Sequence, residues 1–482
     1  QPVNEQTGSH GGDHQAGSGQ RQGRRQVFAQ QFGVHIDGSV ENQCRQQHIH
    51  NQIVIQTQPL QAGELRTFGE KPGKQNADGD QADGVGNFQF SKNNGGNNMD
   101  FRITEEQELM VQAIEEAMTR ENLEPYFQDC DKNHTHPEKW WEILKELGCF
   151  SMFLPEEAEG EDGEPGGGEG AVTMFLVMEA LGRCGAPIYL FWDHVKADAL
   201  LENGTKEQID KFMPLFFKGN GAFAQGFSEP TAGTELSSNT ILTTYTRRNG
   251  KVYINGHKHF ISGAQDNDYC LTLAKNSENP EQLTLWFVPT NVPGCKKEPM
   301  EKMGLNMENV NDIWFDDVEI EESDMFSFEG NGLMATSKGF DYERLIDAFN
   351  AYGQALCAYE DACRYANQRI VKGQEIGRLQ LIQNHIMEMT MKIEAMRNML
   401  LHYAWNKDNN CLTRAEASIA KQFCSESAND IADHALQVMG GIGYCGSRVS
   451  RIYRDLRITR ISGGTGEIQT VIASRQVLKK YK

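Results

Sequence analysis

The sequence predicts an α+β chain whose folded part runs helices, then strands, then helices. Two observations carry this expectation. From Thr104 to Phe217 apolar residues recur at helical spacing, from about Gly221 to Gly332 the period shortens to that of strands, and beyond Phe340 helical spacing returns. Helices and strands segregated in this order pack as an α-helical domain (99–220), a middle β domain (221–332) and a C-terminal helical bundle (333–482). A third observation sets the outer boundary. Residues 1–98 are rich in Gln, Asn, Gly and His, lack Met, Trp and Tyr, and show no sustained period. Such a composition buries too little apolar surface to offset chain entropy, so a disordered extension is expected. Gly95-Gly96 can be encoded by a ribosome-binding sequence just upstream of Met99, so translation is expected to start naturally there, with 1–98 as mistranslated upstream sequence.

The elements follow in order. Thr104-Glu105-Glu106-Gln107 is a capping box opening an amphipathic helix, and a second helix is expected over Pro137–Leu147, ended by Gly148. Glu156–Gly170 reads as a mobile, solvated acidic loop, and helical patterns resume through Val172–Leu181 and Lys196–Phe217. In the middle block, Lys251–Ile254, Asn255-Gly256 and Lys258–Ser262 predict a hairpin with an Asn-Gly turn. Thr284–Val288 and Asp312–Val318 are further strands, and Gly440–Gly446 is the main break in the last helical block.

Composition excludes several function classes. A net charge of −21 over 482 residues opposes wrapping nucleic acid, whose phosphates need a basic face. No run of about 18 apolar residues reads as a membrane span, no signal peptide is recognisable, and a cytoplasmic location is expected. The 11 cysteines are scattered without Cys-x-x-Cys pairs or zinc spacing, so neither disulfides nor a metal is expected. Gly441-Ile442-Gly443-Tyr444-Cys445-Gly446 matches the dinucleotide fingerprint G-x-G-x-x-G, but that motif needs a strand before it. Here a helical stretch, Ala415–Met439, precedes it, so it is read as a Gly-rich helix break.

Five ordered pieces carry a family resemblance. Phe227-Ser228-Glu229-Pro230-Thr231-Ala232-Gly233-Thr234-Glu235 resembles the first signature of acyl-CoA dehydrogenases, with Glu235 where Asp is usual. Asn255-Gly256-x-Lys258-x-Phe260-Ile261-Ser262 is similar to the family's second flavin strand, and Arg369 and Gln380 fall where the family reaches FAD across a subunit interface. Gln437-x-x-Gly440-Gly441-x-Gly443-Tyr444 with Arg454-Asp455-x-Arg457 resembles the second signature, one residue short before Arg451. Gly464-Thr465-x-Glu467-Ile468-Gln469 matches the terminal element. The resemblance spans essentially all of Met99–Lys482. It implies the family's α–β–α fold, FAD, an acyl-CoA substrate, usually a homotetramer, and electron exchange with an electron-transferring flavoprotein. On it, Phe227, Ser228, Gly233, Thr234, Phe260, Ser262, Arg369, Gln380, Gln437, Gly440, Gly441, Thr465 and Glu467 are the expected FAD contacts.

The family reaction takes a proton from Cα while hydride leaves Cβ for the flavin, and it needs a carboxylate beside Cα. The usual Tyr-Glu-Gly-Thr base reads Ser462-Gly463-Gly464-Thr465 here. Some members supply the Glu from an earlier Glu-Arg pair, and Phe340-Asp341-Tyr342-Glu343-Arg344 stands at that place. Glu343 is therefore the expected base, with burial raising its pKa. Asp341 and Arg344 are expected to hold the CoA chain or the helix end. The Gly463 N–H is expected to bind the thioester oxygen, and Glu467 is the nearest competing carboxylate. Lys372 departs from the usual Phe before Gly373. Met99-Asp100-Phe101, Thr243–Lys251, Phe315–Glu319, Ala362–Arg369 and Arg454–Arg460 with Ser462-Gly463-Gly464 resemble one subgroup, reductases of a short trimethylammonium-bearing enoyl-CoA of carnitine metabolism. Tyr189 and Trp192 are aromatic candidates for such a cation.

Overall fold

A computed structural model of the chain describes residues 102–188, 193–219, 221–337 and 339–482. The extension 1–98, Met99–Phe101, Tyr189 and Trp192 lie outside the described residues. Met99–Lys482 forms one compact unit.

The first helices are α1 (Glu105–Glu121), α2 (Glu124–Asn133), α3 (Glu138–Glu146), α4 (Ala171–Arg183), α5 (Asp193–Asn203) and α6 (Lys206–Phe217). The Thr104 hydroxyl accepts from the Gln107 N–H, and the Gln107 side chain accepts from the Thr104 N–H, as the capping box requires. Two features differ from expectation. Helix α2 has no counterpart in the sequence reading; Pro125 starts it, and it buries Phe127 edge-on against Trp140 at 5.8 Å. The stretch Lys196–Phe217 is two helices, because a second capping box at Thr205 and Gln208 stops one and starts the next. The acidic loop is also tied down more than expected. Gly166, Gly167 and Gly168 donate their N–H groups to Ala158, Ser151 and Leu154, and Ala158 is fully buried.

The β domain holds β1 (Ala224–Gly226), β2 (Thr244–Arg248), β3 (Lys251–Ser262), β4 (Tyr269–Asn276), β5 (Leu283–Pro289), β6 (Cys295–Pro299), β7 (Val310–Ile320) and β8 (Met325–Phe326). They form one sheet in the order β6-β7-β3-β2-β4-β5-β8, with β1 beside β4. Leu271, Leu285 and Phe287 pack on one face against Phe212 and Phe216 of α6. Tyr245, Trp286, Val288 and Ile313 pack on the other. Burial of both faces explains why β5 reads as an apolar run rather than an alternation.

The expected hairpin turn is misplaced by six residues. The turn is Asn249-Gly250, with φ of 53° and 77°, joining β2 to β3 through the Arg248↔Lys251 pair. Asn255 and Gly256 stay inside β3. Asn255 exchanges hydrogen bonds with Asp317 across to β7, and Gly256 sits at a register shift where a Cβ would meet Thr243 Oγ1 at 2.3 Å. An Asn-Gly pair serves a bulge as well as a turn, so the dipeptide alone was ambiguous.

The C-terminal block contains α7 (Gly332–Ser337), α8 (Gly339–Gln368), a small hairpin β9–β10 (Ile370–Val371, Gln374–Glu375), α9 (Gln380–Asp408), α10 (Arg414–Met439), α11 (Gly441–Tyr444), α12 (Arg448–Leu456) and α13 (Gly466–Lys479). Lys372 and Gly373 form the exposed tip of the hairpin. Helix α8 is the axis of the bundle: every residue from Leu345 to Ala358 is buried. Phe175 of α4 meets both Phe349 and Tyr352 of α8. Arg451 and Arg454 of α12 pair with Glu124 and Asp131 of α2, so the unforeseen helix anchors the chain's end. The G-x-G-x-x-G match lies after helix α10, with no strand before it, as expected of a helix break. No described helix is long and apolar enough to cross a membrane.

One buried ion pair holds the sheet to the loop before it. Lys258 is fully buried, and its Nζ donates to Glu229 Oε1 at 2.7 Å. The same carboxylate accepts from the N–H groups of Leu242 and Thr243. Lys258→Ala leaves that buried carboxylate short of its cation, and a loss of about 3–5 kcal/mol is expected in denaturant unfolding. A loss under about 1 kcal/mol would show that the pair adds little to the fold.

Candidate active site

The first turn of α8 carries Phe340-Asp341-Tyr342-Glu343-Arg344. Asp341 accepts from Arg344 at 2.5 Å and from Arg414 of α10 at 3.3 Å, so Asp341 ties two helix starts together. Arg344 Nε is buried with no hydrogen-bond partner among the described residues. Tyr342 is buried against His194.

Glu343 is partly buried as a residue, with its carboxyl end enclosed. Burial pushes its pKa up to about 7, and the carboxylate of Asp347 pushes the same way; Arg344, Lys421 and Lys196 pull back. Asp347 follows Glu343 by one helical turn and is itself buried. Lys421 of α10 lies 3.9 Å from Asp347 and donates to the carbonyls of Thr459 and Ser462. That fixes the loop carrying Gly463, whose φ is +59°. A Cβ at 463 would stand 2.2 Å from Asp347 Oδ2, so the space a side chain there would need is filled by Asp347. Gln469 donates to the carbonyls of Gly463 and Gly464, while no acceptor among the described residues takes the Gly463 N–H.

The β domain reaches the same place. The Phe227 ring lies edge-on to Phe340 at 6.2 Å. Ser228 accepts from the His259 N–H, and Phe227 O from Lys258 Nζ, which joins the 227–228 segment to the end of β3. There Phe260 is 62% exposed with φ +61°, a left-handed conformation rare for an aromatic and enriched at functional sites. Ser262 hydrogen-bonds Glu308, an enclosed carboxyl whose pKa burial raises to about 7. Lys196 of α5 faces both Glu308 and Glu343. On the adjoining turn, Gly233 and Thr234 are exposed and give their N–H groups to no other backbone group among the described residues.

Other expected site residues lie elsewhere. Thr465 and Glu467, at the start of α13, line a recess of about 200 Å³ with Gln422, Arg457 and Arg460. Glu467 is exposed; its own backbone N–H, then Thr465, hold its pKa below the usual range, the opposite of a base's environment. Arg369 and Gln380 are exposed beyond the far end of α8, about 38 Å of helix from Glu343. Gln437, Gly440 and Gly441 are exposed about 24 Å along α10 from Lys421. Within one chain these five are not brought to Glu343. The same region exposes Leu381 and Met387 on α9 and Ile442 and Tyr444 on α11.

Asp347, Lys421, Lys196 and Glu308 were not foreseen. Asp347 had a signal, its i+4 spacing from Glu343 on one helix. The other three approach from elements distant in sequence, and nothing local marks them.

The sequence matches the acyl-CoA dehydrogenase N-terminal domain over residues 104–220, the middle domain over 224–318 and the C-terminal domain over 330–478. The chain belongs to the acyl-CoA dehydrogenase family. Butyryl-CoA dehydrogenase from Megasphaera elsdenii is similar at 26% identity and a TM-score of 0.69, covering 79% of this chain and 100% of that one. A chain from Acidaminococcus fermentans, solved in work on an electron transferring flavoprotein and flavin-based electron bifurcation, gives 27% and 0.70 over 79% and 100%. An acyl-CoA dehydrogenase from Geobacillus kaustophilus, 24% identical with a TM-score of 0.69 over 78% and 98%, shares the fold. The protein is thus an oxidoreductase acting on an acyl-CoA, in a family of FAD-binding flavoproteins. Its residues fit that cofactor: an exposed aromatic at Phe260, backbone donors at Gly233 and Thr234, and Arg457 and Arg460 beside Thr465.

The raised Glu343 pKa has a stability consequence. The folded state keeps this proton up to about 7, whereas the unfolded chain releases it near 4.5. The stability it contributes is complete below 4.5 and is lost as pH rises through 7. Glu343→Gln should therefore gain thermal stability relative to the natural chain between pH 5 and pH 8. An unchanged difference across those two pH values would show that the carboxyl is not held in its proton-retaining state.

Proposed function

We propose that this chain is an FAD-dependent oxidoreductase acting on the Cα–Cβ bond of a short-chain acyl-CoA or enoyl-CoA, of the crotonobetainyl-CoA reductase type. The observation that carries the reading is an enclosed carboxyl, Glu343, beside a glycine loop whose vacated space Asp347 fills. A base works best with its pKa near the working pH, and burial sets Glu343 there. In dehydrogenation the Cα–H bond breaks, its proton goes to Glu343, and the electron pair forms the Cα=Cβ bond as hydride leaves Cβ. In reduction the protonated Glu343 returns that proton to Cα. Bound FAD supplies the two-electron exchange at Cβ. The free Gly463 N–H stabilises the charge that develops on the thioester oxygen. The buried Arg344 Nε is a donor for the CoA portion, with Asp341 holding the arginine in place.

Within one chain Phe227, Ser228, Gly233, Thr234, Phe260, Ser262, Thr465 and Glu467 would hold the cofactor. Arg369 and Gln380, beyond the far end of α8, and Gln437, Gly440 and Gly441, at the end of α10, are too far away to share it, and they would meet the FAD of a second copy. Exposed Leu381, Met387, Ile442 and Tyr444 in the same region support association, and a homotetramer is the assembly proposed. An electron-transferring flavoprotein is the proposed redox partner, and carnitine metabolism the setting.

The test is the visible spectrum of FAD-loaded protein, reduced without oxygen and mixed with crotonobetainyl-CoA or crotonyl-CoA. Flavin colour should return with one substrate, and Glu343→Gln should slow that return about 10²- to 10⁴-fold. Colour lost again only on donor addition supports the reductase. Protein that cannot be loaded with FAD, or that is reoxidised by neither thioester, would overturn the proposal. Rapid reoxidation by air alone would replace it with an acyl-CoA oxidase.

A further inference from the structure

Strand β3 alternates across its sheet. Lys258 points inward to Glu229, so His257 and His259 stand together on the opposite face. His257 pairs with Trp314 on β7, and Asp312, two residues from Trp314, shares that face. The register shift between Lys258 and Ile261 sets His259 and Phe260 together opposite Asp312. His257 Nε2 and His259 Nδ1 each lie 2.5 Å from the same atom, Asp312 Oδ1. The three ligand atoms lie within 4.8 Å of one another.

We propose that His257, His259 and Asp312 form a binding site for a divalent first-row metal ion, zinc in the first instance, on the outer face of the β domain. Two imidazoles and one carboxylate are the ligand types zinc favours, and they leave positions open for water. Both rings are held before any ion arrives. His257 is stacked on Trp314 at 4.6 Å and 17°, and His259 lies against Phe260 at 3.9 Å. Ligands of one zinc ion sit about 2.0–2.2 Å from it, so the carboxylate would draw back from its 2.5 Å contacts while the stacked rings stay. Asp312 can only accept, so each ring nitrogen facing it carries its proton before an ion arrives. Binding needs those nitrogens bare, so a neutral ring must shift its proton to the nitrogen facing away and a charged ring must release one.

Charge points the same way. Glu298 on β6 is directly opposite Asp312. Like charges facing each other across strands cost stability unless a cation is near. Glu298 turns to Lys296 on its own strand, 2.5 Å away, which leaves Asp312 with the histidines. The site shares no ligand with the Glu343 cleft, although His259 borders Phe260, and it does not depend on the proposed reaction.

The test uses the full chain after chelator treatment, titrated with Co²⁺ by visible absorption and with Zn²⁺ by calorimetry. Natural protein should bind one more ion per chain than His257→Asn or Asp312→Asn, or bind it at least about tenfold more tightly. The cobalt bands of that ion should lack a thiolate charge-transfer component, because the ligands are nitrogen and oxygen. Zinc should raise the thermal midpoint of natural protein more than that of either variant. Equal stoichiometry and affinity in all three proteins, or a thiolate band on the ion the variants lose, would overturn the site. Asp312→Glu should keep most of the binding if the carboxylate is a ligand and lose it if its shape alone matters.

Discussion

The chemistry proposed for this protein rests on keeping one carboxyl, Glu343, away from water while a second, Asp347, stands one turn behind it. Both project from α8, the helix buried on every side through its middle. Burial alone would neutralise two such groups, and the buried Lys421 keeps the pair tolerable. The same lysine grips the carbonyls of Thr459 and Ser462. The loop bearing Gly463 is thereby fixed by the residues that tune Glu343. A glycine is required there twice over, by its positive φ and by the carboxylate occupying the space of a side chain.

The β domain supplies the opposite wall. Its inward lysine, Lys258, ties the Phe227–Glu229 segment to β3, and that strand ends in the left-handed Phe260. Helix α2, bound to Arg451 and Arg454, holds the chain's last helices to its first ones. One strand thus borders two sites: its inner face locks the cleft, and its outer face brings His257 and His259 to Asp312 of β7.

Much of this was legible in residue order. The three blocks followed from hydrophobic period, and the helix before Gly441 exposed the false dinucleotide motif. Glu343 was singled out as the candidate base because Gly463 is a glycine where a carboxylate is usual in the family. What sequence could not convey was distance. Asn255-Gly256 and Asn249-Gly250 carry the same turn signal, and only strand pairing decides which one turns. Thr205 repeats the capping signature of Thr104 just after Gly204, yet helical spacing on both sides let the two helices read as one. Lys196, Glu308 and Lys421 meet Glu343 or its neighbours from separate elements, so their roles emerge only from packing. Arg369 and Gln380 show the converse: near in motif, they lie beyond the far end of α8, and their proposed role needs a second copy to present them.

The central claim is that Glu343 is the group that moves the proton at Cα. It is tested most directly by deuterium exchange at Cα of bound butyryl-CoA in D2O, which needs no net electron transfer. The account predicts exchange that rises with a midpoint near pH 7, is abolished in Glu343→Gln and persists in Glu467→Gln. Exchange that survives in Glu343→Gln but disappears in Glu467→Gln or Glu308→Gln would contradict it and move the base to that residue.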